Sequence, residues 1–180
     1  SCCLLMTLSR VHIENFRLLR EVTLEFDEGV NFFVGQNAQG KTSLLEAIHY
    51  LSVGRSFRTN KDRECQTLDG DAQQVTAITG YLSTNDKVRL AFQTGKKKVW
   101  YNDNLLPVLT DLWGILMTVI FQPSDLQILQ GSPSKRRELI DRIAGQLDRN
   151  HLRETQAYQK ALQNRNQLLK ARQSQVNVFH

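Results

Sequence analysis

Gly35-Gln36-Asn37-Ala38-Gln39-Gly40-Lys41-Thr42 is the stretch that decides how this chain is read. Its spacing, Gly-x4-Gly-Lys-Thr, is that of a phosphate-binding P-loop. Val30 to Val34 ahead of it is β-prone, and Ser43 to Leu51 behind it is helix-prone, with Leu44, Leu45, Ile48 and Leu51 at helical spacing. A strand, a glycine-bounded loop and a helix start suit an anion, because the first turn of a helix offers unpaired N–H groups and the positive end of its dipole. The expected cradle for a nucleoside triphosphate is therefore Gly35, Gln36, Asn37, Ala38, Gln39, Gly40, Lys41, Thr42 and Ser43. Lys41 adds a full charge and is the expected catalytic cation, and the Thr42 hydroxyl is the expected ligand for Mg²⁺.

Upstream of the loop, Leu8 to Glu14 alternates loosely, and Val22, Leu24 and Phe26 alternate strictly with Thr23, Glu25 and Asp27, which predicts a half-buried strand. A simple small-molecule kinase usually begins with the P-loop strand itself, so two earlier strands count against that alternative, although the length of 180 residues suits one kinase domain. Downstream, Thr59 to Gly70 is polar and irregular. Val75 to Leu82, Val88 to Phe92 and Val99 to Tyr101 read as short adjacent strands, with an edge strand at Leu105-Leu106, and imply antiparallel pairing. Val108 to Trp113 reads as a short helix, and Ile115 to Phe121 as a strand buried on both faces, ended by Pro123. Ser132-Pro133 fits a helix start, with Leu139, Ile140, Ile143, Ala144 and Leu147 on one face. Asn150 is the expected cap of a further helix to about Ala171, whose stripe of Tyr158, Leu162 and Leu169 is too sparse for an independent coiled coil.

Apolar residues at 41% and charged residues at 23% are those of a globular protein, and no stretch has the apolar length of a membrane span. Three cysteines, Cys2, Cys3 and Cys65, form neither a disulfide framework nor a metal spacing, which fits a reducing cytoplasm. The net charge of +5 is uneven: residues 1–131 hold 13 Lys+Arg against 14 Asp+Glu, and residues 132–180 hold 10 against 4. A basic C-terminal segment fits either a polyanionic partner or a solvated helix face.

A triphosphatase also needs an acid after an apolar strand to hold Mg²⁺ and a group to orient water. The run Ile115 to Phe121 ends instead on Gln122, which reads in two ways: an amide reaching Mg²⁺ or the attacking water, or a strand-end residue bonded to backbone. Lys96-Lys97-Lys98 reads as a hairpin turn, either solvated or touching DNA phosphates. Arg136 and Arg137 lie early in a helix, where the dipole disfavours cations, so they favour a DNA or carboxylate partner. His12, His49, His151 and His180 have no ligand spacing.

Four blocks in order resemble the RecF family of bacterial recombinational repair. They are Ile13-Glu14-Asn15-Phe16-Arg17; the P-loop leading into Leu44-Leu45-Glu46-Ala47-Ile48; Gly54-Arg55-Ser56-Phe57-Arg58; and Gly131-Ser132-Pro133 followed by Arg136, Arg137 and Asp141. The resemblance implies an α/β fold: a P-loop NTPase of the ABC/SMC-head type, with a mixed core sheet, an adjacent antiparallel sheet and a helical arm. Residues 1–131 would be the N-terminal part of the head and residues 132–180 the arm. It further implies ATP and Mg²⁺ as cofactors, an ATP-dependent homodimer, and binding to gapped DNA at single-strand/double-strand junctions. Partnership with RecR and RecO in loading recombinase, and a part in replication-fork maintenance, follow from the same resemblance. Gln122 would sit near the family's Q-loop, at the metal, and Arg17 near the adenine. RecF proteins are about twice as long, so the chain is expected to be an N-terminal fragment without the Walker B acid and signature motif, and without turnover of its own.

Overall fold

The computed structural model describes residues 6–67, 74–93, 95–122 and 133–176. The predicted antiparallel strands form one six-stranded sheet in the order β2-β1-β3-β4-β5-β6. They are β1 (Leu8–Phe16), β2 (Leu19–Glu25), β3 (Thr76–Leu82), β4 (Lys87–Gln93), β5 (Lys96–Tyr101) and β6 (Asn104–Leu105). The turns place residues in left-handed backbone: Arg17 (φ 55°) between β1 and β2, and Asn102 (φ 47°) with Asp103 (φ 63°) between β5 and β6. Two consecutive left-handed residues match the right-handed twist of a tight hairpin, and Asn and Asp adopt them at least cost.

One face of the sheet carries the core, and on the opposite face Ala77, Thr79 and Ala91 are buried as well. The cross-strand row Ile13, Ile78, Leu90 and Val99 lies under helix α1 (Lys41–Val53), and the next row contains Val11, Gly80 and Val88. Gly80 leaves room for the Leu51 and Leu8 side chains, with which a Cβ there would collide. The helix buries Leu44, Ala47, Tyr50 and Leu51, whereas Leu45, expected on that face, is exposed. Each fully buried large apolar side chain contributes roughly 1.5–3 kcal/mol, so this layer dominates the stability of the first unit. Trp113 closes one end, donating its ring N–H to the Val53 carbonyl at 3.1 Å. The helix expected over Val108 to Trp113 is a single 3-10 turn, Leu109–Leu112.

Two expected strands have no ladder. Neither Val30 to Val34 nor Ile115 to Phe121 pairs with another segment among the described residues. Val30, Phe32 and Val34 are 75%, 83% and 95% exposed, while Phe33 packs edge-on against Phe26. β-Prone composition is not enough: a strand also needs a neighbour for its N–H and C=O groups, and among the described residues none adjoins either segment. The irregular stretch after the helix carries a 3-10 turn, Asp62–Cys65, tied to the β1–β2 hairpin where the Arg17 N–H donates to the Cys65 carbonyl at 2.9 Å.

The chain forms two compact units, 1–120 and 121–180, and the expected boundary at Gly131/Ser132 lies outside the described residues. The second contains α2 (Pro133–Leu147) and α3 (Arg149–Val176). Pro133 is the first helical residue, as predicted, and Ser132 lies outside the described residues. Asp148, and not Asn150, caps α3: its carboxylate accepts the Asn150 N–H at 2.8 Å. Ile140 and Ile143 of the expected apolar face are exposed, as are Tyr158, Leu162 and Leu169 on α3. Among the described residues no helix is long and apolar enough to cross a membrane.

Candidate nucleotide site

The loop opens onto α1 at Lys41, with Gly40 as its left-handed N-cap (φ 92°) and Ala38 also left-handed (φ 67°). No side chain caps the helix and no acid stands in its first turn, so the N-terminal amides and the positive dipole face outward. Gly40 is needed for its conformation and for its neighbour: the Leu19 side chain lies 3.1 Å from where a Cβ would be. Lys41 Nζ donates to the Gly35 and Gln36 carbonyls, both at 2.6 Å, which keeps the ammonium over the loop. Gln39 folds back across the loop, its Oε1 accepting the Gln36 N–H at 2.9 Å. Gly35 makes room for that oxygen, which sits 2.6 Å from the position a Cβ would take. The loop from Gly35 to Gln39 and Thr42 are exposed, and Ser43 is buried.

Behind the loop Arg17, expected near the adenine, meets Glu46, Ser56, Arg58 and Cys65, to which the sequence assigns no role. Glu46, one helical turn into α1, is fully buried, and its carboxylate collects three segments. Arg17 donates to it through Nε at 3.0 Å and through a terminal nitrogen at 2.7 Å; Ser56 Oγ donates at 2.5 Å and Arg58 at 3.3 Å. Burial pushes the Glu46 carboxyl up, but the hydrogen bonds from Arg17 and Ser56 and the charges of Arg17 and Arg58 outweigh it and hold the group below its ordinary range. The bond to Glu46 likewise raises Arg17. Burial, with Glu46 nearby, pushes the Cys65 thiol up to about 11, so it stays protonated, its sulfur 3.8 Å from the carboxylate. The third Arg17 donor goes to the Glu64 carbonyl at 2.6 Å. Arg17, expected near adenine, thus spends its donors fastening the β1–β2 hairpin to α1, which places Leu19 behind Gly40.

A second cluster lies at the other end of the helix. Tyr50 donates its hydroxyl to Asp62 at 2.5 Å, and Lys97 donates to Asp62 and to the Gly54 carbonyl, the latter at 2.6 Å. Burial and Asp62 both push the Tyr50 hydroxyl above its ordinary range. A cation on the last carbonyls of α1 complements the helix dipole. The Lys96-Lys97-Lys98 turn is corrected here: the three lysines open β5, the turn is at Gly95, and Lys97 faces inward with its side chain 16% exposed, while Lys96 and Lys98 are exposed. A strand alternates its side chains, so three consecutive cations cannot share one face.

Arg136 and Arg137 are exposed in the first turns of α2, and Gln122 belongs to the second unit. Among the described residues no group of three or more His, Cys, Asp or Glu is placed to hold a metal. Mg²⁺ is ordinarily held by few protein oxygens together with nucleotide phosphates, and the exposed Thr42 hydroxyl at the helix start fits one such position.

Comparisons with known proteins place the fold in the same class, an ATPase-type domain. The family model described as AAA domain, AAA_23, matches residues 10–179, and the chain belongs to that family. Within it the similarity is to RecF. The chain is 40% identical over 167 residues to the DNA replication and repair protein RecF of Thermoanaerobacter sp. (strain X514), covering 92% of this chain and 46% of that protein. It is 37% identical over 175 residues to RecF of Acetivibrio thermocellus, covering 97% and 47%. A solved structure of the recombination mediator protein RecF-ATPrS in the RecFOR pathway superposes with a TM-score of 0.85 at 38% identity, covering 92% of this chain and 45% of that one. A RecF-ATP structure superposes with a TM-score of 0.80. The fold is therefore that of the RecF ATPase head, a P-loop domain of the ABC/SMC type with its antiparallel sheet, and the RecF resemblance of the four sequence blocks stands. The chain spans about half the length of the curated relatives it matches.

Proposed function

We propose that this chain is the nucleotide-binding part of a DNA replication and repair ATPase of the RecF kind. The observation that carries the reading is the P-loop itself. Its amides face outward at the start of α1, Lys41 is held over the loop, and Thr42 is open to a metal, all on the fold shared with the ATP-named RecF structures. In this reading ATP lays its phosphates on Gly35 to Ser43, Lys41 leaves the loop carbonyls for the phosphate oxygens, and Thr42 binds Mg²⁺. Arg17 acts on the adenine side by holding the hairpin, and Gln122 serves the metal or the attacking water. The whole protein binds gapped DNA at single-strand/double-strand junctions, dimerises on ATP, and works in the cytoplasm with RecR and RecO to load recombinase.

Hydrolysis needs an acid and a signature motif that the sequence of this chain does not contain, so the chain alone is expected to bind without turning over. The test is ATPase activity of the full-length protein with and without gapped DNA. DNA-stimulated hydrolysis that Lys41→Ala abolishes supports the reading. Robust hydrolysis by residues 1–180 alone, indifferent to DNA, contradicts it.

A further inference from the structure

The sheet face turned away from α1 carries a charge pattern that the nucleotide site does not use. Cross-strand pairing sets Arg89 opposite Trp100, Ala91 opposite Lys98, and Gln93 opposite Lys96. Their neighbours in sequence, Val88, Leu90, Phe92 and Val99, are buried on the other side, so Arg89, Lys96 and Lys98 project together from β4 and β5, and all three are exposed. Lys96 and Lys98 are two residues apart on one strand, about 7 Å.

Several other cations of the first unit are held by carboxylates, and Arg10 lies over the Tyr81 ring. Lys97 pairs with Asp62, Lys87 with Asp103, Lys61 with Glu64, and Arg17 and Arg58 with Glu46. Among the described residues, Arg89, Lys96 and Lys98 have no carboxylate within ion-pair distance; Arg89 instead lies over the Trp100 ring, 5.7 Å from its centroid. Ala77 and Ala91, both buried, stand between Glu14 and Lys98 in one cross-strand row. That row spans three strand spacings, about 14 Å, which exceeds the roughly 8 Å over which physiological salt screens charge. The acids of β1 and β2 therefore do not neutralise the strip.

We propose that this strip, Arg89, Lys96 and Lys98 beside Trp100, is a contact surface for the phosphate backbone of a nucleic acid. The proposal rests on the DNA-binding reading above and assigns it a place. Exposed cations without carboxylate partners on neighbouring strands suit a polyanion. A protein partner would want a buried apolar anchor in a pocket, and the Arg89 side chain covers the one aromatic of the strip.

The test is equilibrium binding of the full-length protein to a duplex with a single-stranded extension, between 50 and 200 mM salt, for wild type and for Arg89→Ala/Lys96→Ala/Lys98→Ala. Each phosphate contact on duplex contributes about 0.9 to the slope of log K against log salt, so the triple variant should lose about 2.7 of slope. Its affinity then falls about 40-fold less than that of wild type across this salt range. ATP affinity should be unchanged, and Lys61→Ala, a paired cation, should keep the wild-type slope. If the triple variant does not fold, Lys96→Ala and Lys98→Ala singly should each remove about 0.9. A wild-type slope in these variants overturns the surface while leaving the DNA-binding reading intact. Wild-type protein that binds no DNA overturns both.

Discussion

Arg17→Ala should destabilise the protein more than any other single truncation near the loop, and the reason is the carboxylate it leaves behind. Glu46 is fully buried, and Arg17, whose side chain is 19% exposed, gives it two of its four shortest hydrogen bonds. Removing one partner of a buried ion pair costs about 3–5 kcal/mol, because the other charge stays desolvated. Arg58 is 45% exposed at 3.3 Å and Ser56 remains at 2.5 Å, so the low end, about 3 kcal/mol, applies. That corresponds to a fall in Tm of about 6–12 °C for a protein of this size.

The loss should depend on pH in a defined sense. Glu46 is held below its ordinary range in the folded wild type, so its pair stabilises above the unfolded carboxyl pKa and is lost as pH falls through the lower folded value. The difference in Tm between wild type and Arg17→Ala should therefore be largest near pH 7 and shrink steadily below about pH 4. Thermal unfolding followed by circular dichroism across that range measures it. An unchanged Tm, or a difference independent of pH, would refute the assignment of Glu46 as the buried hub.

Two further substitutions test neighbouring geometry. Gly35→Ala should weaken ATP binding by displacing Gln39 Oε1, and Gln39→Ala should remove the obstacle, so the double variant should bind as Gln39→Ala does; strict additivity in calorimetric titration would show that the two residues do not touch. Lys97→Met should cost about 2 kcal/mol in denaturant unfolding through lost charged hydrogen bonds to Asp62 and Gly54, while leaving the salt dependence of DNA binding at its wild-type slope.

What could be read in advance follows the range of the interactions involved. The P-loop, the antiparallel hairpins and the Pro133 helix start are local patterns, and all three are present in the structure. Lys97 was misread because the strand begins three residues earlier than its β-branched and aromatic core suggests, which changes a turn into an alternating strand. Val30 to Val34 is β-prone and Ile115 to Phe121 is a continuous apolar run, yet a ladder depends on a neighbour that local sequence does not supply. Glu46 was visible only as one residue of a helix. Its place beside Ser43 and Tyr50 on a buried helical stripe, and the arginines in the Asn-Phe-Arg and Arg-Ser-Phe-Arg blocks, were the available signals for a buried pair.

The central claim is that Gly35 to Thr42 binds a nucleoside triphosphate through Lys41. It is tested most directly by thermal or chemical unfolding of residues 1–180 with Mg²⁺ and saturating ATP, for wild type and for Lys41→Ala. At 100 times Kd, ATP should stabilise wild type by about 2.7 kcal/mol, and Lys41→Ala at the same ATP concentration should show little or none of it. Stabilisation equal in both proteins, or absent from wild type, would contradict the claim.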